Sequence, residues 1–124
     1  MNKDDKRRCE ILGIPYPPQY GGGVEHFEGA TYVQLRTLLE ENFAEHDSAQ
    51  NFSPEFEQFV RFLAEHPLFT AHGYIVSPTR ADYRVTIEGI AGPEDSSKDA
   101  IEDFVMLCRD ADEFSLHPPY SWWD

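Results

Sequence analysis

A chain of 124 residues, 40% apolar and 14% aromatic, carries enough large side chains to bury a core without disulfides or a structural metal, which excludes a disordered tract or a stapled mini-scaffold. Its formal charge of −13, from 23 acidic against 10 basic residues, excludes nucleic-acid phosphate as a partner and favours a basic protein through electrostatic steering. No apolar run reaches the roughly 18 residues of a membrane span, and the opening MNKDDKRRCE is charged where a signal peptide is apolar, so the expectation is a soluble, cytoplasmic protein with no membrane partner.

Residues 3 to 12 alternate charge signs and run into Gly13, which supplies the left-handed stop of a short helix. From Ile14 to Ala30 the chain holds Pro15, Pro17, Pro18 and the run Gly21-Gly22-Gly23, which argues for an irregular loop. A loop of that length in a compact fold is a first place to look for a site. Thr31 and Gln34 form a capping box ahead of an apolar stripe at Tyr32, Leu35, Leu39 and Phe43, predicting a helix over 31–46. Ser53-Pro54 then reads as the start of a second helix, with Phe56, Phe59, Val60 and Leu63 on one face and His66-Pro67 as its stop.

Residues 68–90 are the most informative stretch. Two extended runs flank a Ser77-Pro78-Thr79-Arg80 turn, and in the second Tyr83, Val85 and Ile87 alternate with Asp82, Arg84, Thr86 and Glu88, the period of a half-buried strand in a hairpin. After Gly92-Pro93, Ser96 or Ser97 caps a helix whose inner face is Ile101, Phe104, Val105 and Cys108. Residues 113–117 read as a third strand, and Pro118-Pro119 separates it from the tail Tyr120-Ser121-Trp122-Trp123-Asp124. The expected fold is one α+β domain over 1–124, a small antiparallel sheet in the order 2-1-3 packed with three to four helices.

An even-length turn pairs Val76 with Tyr83, Tyr74 with Val85 and His72 with Ile87, which places His72 on the apolar face and sets Gly73 and Ala71 beside Arg84, Thr86 and Glu88 on the other. His72 is then either a satisfied core histidine or a catalytic or ligand-binding group. Arg84, Thr86 and Glu88 form either a solvated sheet face with a cross-strand salt bridge or a patch over small residues that a partner backbone or a flat ligand approaches. In the tail, alternate residues face opposite sides, so one of Trp122 and Trp123 anchors in the core while the other, with Tyr120, stays available to a partner.

Catalytic and cofactor signatures are absent. The five histidines, His26, His46, His66, His72 and His117, show no metal-ligand spacing, so neither a metal nor another cofactor is expected. The Gly21-Gly22-Gly23 run lacks the Lys and Ser/Thr of a phosphate loop, Ser77 lies in a turn and not in a nucleophile elbow, and neighbouring carboxylates such as Glu102-Asp103 point to different sides of a helix. Cys9 and Cys108 form no CxxC pair and read as free, buried thiols. The favoured reading is a small acidic interaction or regulatory protein, inhibitor-like or immunity-like in manner, with no signal for an oligomeric state. Its rival is a small enzyme or small-molecule-binding protein with a pocket among the 14–30 loop, His72 and the tail, anchored by His72 or Arg84. A concave pocket holding His72 favours the rival, and a flat acidic face with an exposed Trp favours the first.

Overall fold

All 124 residues are described by a computed structural model. In chain order the elements are α1 (Asp5–Leu12), β1 (Val24–Ala30), α2 (Tyr32–Glu40), α3 (Phe56–Glu65), β2 (Thr70–Val76), β3 (Val85–Ala91), α4 (Lys98–Cys108), β4 (Glu113–Leu116) and β5 (Pro119–Trp122). The fold is α+β. No helix is long and apolar enough to cross a membrane.

Local signals explain the helix ends. Asp4 accepts from the Arg7 amide to open α1, and Gly13, at φ 71°, closes it in the left-handed conformation. Thr31 and Gln34 form the anticipated capping box of α2, and Ser97 caps α4 through the Ala100 amide. Two boundaries differ from expectation. α2 stops at Glu40, because Asn42 turns left-handed at φ 63° and redirects Phe43 and Ala44 into the core. α3 is opened by a Glu55–Gln58 capping box and not by Ser53, which is held in the preceding turn by the Gln50 amide.

The five strands form one antiparallel sheet in the order β1-β2-β3-β5-β4. The expected order 2-1-3 is therefore incorrect. A strand within residues 14–30, read as loop, occupies the outer edge of β2, so no later strand can pair there. The tail becomes β5 and pairs beside β3 through Gly92 N to Pro119 O and Trp123 N to Glu88 O, with β4 outside it. The loop reading survives only for residues 14–23, where Tyr20 is pinned to α1 by its hydroxyl on Asp5, at 2.6 and 2.7 Å.

The hairpin register also differs, by one residue. Two successive turns, closed by Arg80 N to Ser77 O and Tyr83 N to Arg80 O, delay β3 until Val85. Ile75 then opposes Val85, Tyr74 opposes Thr86 and Gly73 opposes Ile87, and a bulge precedes the His72–Gly89 pair. A slip of one residue moves every side chain of a strand to the other face. Ala71 and Ile75 thus point into the core with Val85, Ile87 and Ile90, whereas His72 and Tyr74 point away from it, the reverse of the expected placement of His72.

The helices cover one face of the sheet. Leu35 and Leu38 of α2, Phe56, Phe59 and Leu63 of α3, and Phe104 of α4 meet the core strands in a cluster that also contains Cys9, Phe43, Phe69 and Trp123. On α4 the fully buried positions are Ala100, Phe104 and Cys108, while Ile101 and Val105 are half-buried. Burial pushes the Cys9 thiol to about 11 and the Cys108 thiol to about 12, so both are protonated and unreactive at neutral pH.

Candidate functional site

The helix-free face of the sheet carries an open cleft of about 520 Å³ whose lining comes from four adjacent strands. β1 contributes His26 and Glu28, β2 Thr70 and His72, β3 Glu88 and Ala91, and β5 Tyr120 and Trp122. They share this face because the residues beside them in each strand, Phe27, Ala71, Ile90 and Trp123, are apolar and buried in the core. Gly89 allows the close approach of β5. A Cβ there would fall 1.9 Å from the Ser121 carbonyl oxygen and 2.8 Å from His72 Nε2.

That approach gives His72 its partners. Its Nε2 lies 2.9 Å from the Ser121 carbonyl oxygen, and its ring stacks on Tyr120 at 5.0 Å and 8°. A carbonyl only accepts, so Nε2 carries the proton and Nδ1 holds the lone pair. Desolvation lowers the His72 pKa below its ordinary 6.5, so the ring is neutral at neutral pH. Burial also raises the Tyr120 pKa, keeping its phenol protonated.

Glu88 is the central carboxylate, with only 15% of its side chain exposed. Trp122 Nε1 donates to its Oε2 at 3.3 Å, and Oε1 faces His26 Nδ1 at 3.6 Å. His26 meets the edge of Tyr74 at 5.9 Å. Glu28, on the exposed edge strand, forms no ion pair, and no Lys or Arg lines the cleft. Two carboxylates thus share the cleft with aromatic side chains and with no Lys or Arg, and the His26 imidazole lies within ion-pair distance of one of them, Glu88.

Of the residues singled out from sequence, the structure brings His72, Tyr120 and Trp122 together with residues 26–29 of the former loop. Arg84 is not with them. It donates to Thr86 Oγ1 at 2.9 Å, to Tyr74 OH at 3.0 Å and to Asp82 Oδ2 at 2.9 Å, so its hydrogen bonds are spent beyond the cleft. Thr86 is buried under Arg84 and under the loop around Gln50, which accepts from Tyr74 OH and donates to the Trp123 carbonyl oxygen. Trp123 is in the core, 2% exposed and edge-on to Phe59 at 5.8 Å, while Trp122 is half-buried at the cleft wall.

From the sequence, Glu88 belongs to a polar sheet patch with Arg84 and Thr86 but is not itself singled out, Glu28 has no role, and His26 is considered only as a metal ligand. The signal was present in the alternation of His26 and Glu28 around Phe27, but a bulge with Gly29 at φ 70° puts the next core residue at Ala30, a spacing of three that hides a strand.

Glu65, His66 and Asp103 bring one ligand atom each within 4.8 Å of one another, the closest approach to a metal-ligand set. His66 Nε2 and Asp103 Oδ2, 2.7 Å apart, tie the end of α3 to α4, and the ring packs on Phe62, which accounts for the contact structurally. Within the cleft neither the Thr70 nor the Tyr120 hydroxyl is hydrogen-bonded to a histidine or a carboxylate, and the arrangement suits recognition by charge and stacking, with the His72 Nδ1 lone pair as an acceptor. No family model, curated protein or solved structure matches the chain.

The suppressed basicity of His72 sets a pH dependence. The unfolded chain binds a proton that the native site resists, so this contribution to stability is complete above about pH 6.5 and is lost as pH falls toward the lowered native value. Urea titrations at about pH 7.5 and about pH 5.5 should show a decline that His72→Gln, still a donor to the Ser121 carbonyl, makes smaller. An unchanged decline would assign it to other groups.

Proposed function

We propose that this protein is an acidic interaction module, inhibitor-like or regulatory in manner, that docks a basic protein on the helix-free face of its sheet. The observation that carries this reading is the pair Glu28 and Glu88, which share a cleft with Tyr120 and Trp122 and with no Lys or Arg. Aromatic side chains beside buried charge are what binding hot spots are made of, and a net charge of −13 accelerates encounter with a basic partner. A cleft of about 520 Å³ is also within the size range of small-molecule sites, and the His72 lone pair supports that second reading, although Arg84 takes no part in it.

The test uses a defined probe, a ten-residue peptide of alternating Lys and Gly at low salt. The pair Glu28→Gln and Glu88→Gln should weaken binding at least fivefold, whereas Glu94→Gln with Asp95→Asn, which removes the same charge from the exposed turn before α4, should change it less than twofold. Equal losses from the two pairs would reduce the face to generic electrostatics and overturn the proposal.

A further inference from the structure

Resting on the docking role proposed above, we infer that the cleft is a receptor for a single arginine side chain of the partner, with Glu88 and the stacked Tyr120–His72 pair as its recognition elements. The chemistry follows from shape and charge together. His72 stacks face to face on Tyr120, with centroids 5.0 Å apart and planes within 8°, which holds the Tyr120 ring rigid at the cleft with its other face turned away from His72. A guanidinium is a planar cation that stacks on such a ring face. An ammonium is compact and strongly hydrated and gains less from a plane.

The carboxylate is poised for that cation. Glu88 is fixed from one side by Trp122 Nε1 on Oε2 and flanked by His26 at Oε1, so it needs no reorganisation to accept a planar, forked donor. Glu28 stands at the rim on β1 without an ion pair and adds a second negative charge. No Lys or Arg of the cleft competes, and His26 approaches Oε1 only to 3.6 Å. The one nearby guanidinium, Arg84, is held by Asp82, Tyr74 and Thr86, and burial keeps His72 neutral at the wall. No internal Lys or Arg sits where the two carboxylates and the Tyr120 ring converge.

Three capped tripeptides test this on the full chain, glycine–X–glycine with X as arginine, lysine or citrulline, the last a neutral analogue that keeps arginine's planar end group. The readout is the Trp122 indole N–H and the Gly29, Gly73 and Gly89 amides in ¹⁵N-labelled protein. Arginine should give saturable shifts with an affinity at least fivefold above lysine, citrulline should give none that saturate, and Glu88→Gln should weaken arginine at least tenfold. Gln keeps an oxygen for the Trp122 donor, so the fold is retained. Glu28→Gln, with no hydrogen bond to lose, should weaken arginine as well. Citrulline equal to arginine, or no effect of Glu88→Gln, would overturn the receptor. Lysine equal to arginine would also overturn it, while leaving the docking face intact if the Lys–Gly peptide still depends on Glu28 and Glu88. Loss of that dependence would remove both.

Discussion

Trp123→Ala is expected to lower the unfolding free energy by about 3–5 kcal/mol, and Trp122→Ala by about 1 kcal/mol or less. The adjacent residues differ because β5 places them on opposite faces. Trp123 is 2% exposed and fills the space beside Phe59, so its removal leaves a cavity that fixed helices on one side and the sheet on the other cannot close. Its Nε1 has no hydrogen-bond partner, so Trp123→Phe, which removes that orphaned donor with the extra ring, should cost less than Trp123→Ala. Trp122 faces the cleft, and its loss should appear mainly as weaker binding of the Lys–Gly probe. Urea titration checks the ordering, and equal destabilisation by the two alanine variants would mean that β5 is not docked in this register.

Arg8→Ala is expected to cost about 3–5 kcal/mol, the penalty for breaking a buried charge network from one side. Arg8 is fully buried, with Nη2 donating to Asp5 Oδ1 at 2.8 Å and to the Val76 carbonyl oxygen at 2.8 Å, while its guanidinium lies 4.3 Å from the Tyr83 ring centroid. Tyr20 OH joins the same group at 3.1 Å. These bonds hold α1, the 14–23 loop and the base of the hairpin together. Truncation leaves the Asp5 carboxylate with the Tyr20 hydroxyl but no guanidinium, and removes the Arg8 donor from the Val76 carbonyl oxygen. Replacing both charges, Arg8→Met with Asp5→Leu, should recover part of the loss, because a well-packed apolar pair avoids the desolvation cost that a lone charge bears. A double variant no more stable than Arg8→Ala would show that packing on Tyr83, and not the charge network, is what Arg8 supplies.

The helices were legible because their signals are local. Thr31 with Gln34, Gly13 and Ser97 act within one turn of the residues they cap, and the stripe of Phe56, Phe59, Val60 and Leu63 repeats at the helical period. The α+β class followed from the alternation around Val85 and Ile87, and the split roles of Trp122 and Trp123 from the same period of two. What escaped depended on partners distant in sequence. β1 carries a bulge and follows a glycine run, so its strand character exists only against β2. The hairpin register turned on how many residues the Ser77–Arg84 turn consumes, and one residue decided which face His72 occupies. With His72 misplaced and β1 unseen, the convergence of His26, Glu28 and Glu88 could not be assembled, although each residue type was in view.

Chemical-shift mapping of the Lys–Gly peptide onto the ¹⁵N-labelled full chain tests the docking face most directly. Shifts concentrated at His26, Glu28, Gly73, Glu88, Gly89 and the Trp122 indole N–H, with the Trp123 indole unmoved, are the predicted result. Shifts spread over the exposed surfaces of α2, α3 and α4, with the Trp122 indole unmoved, would contradict it.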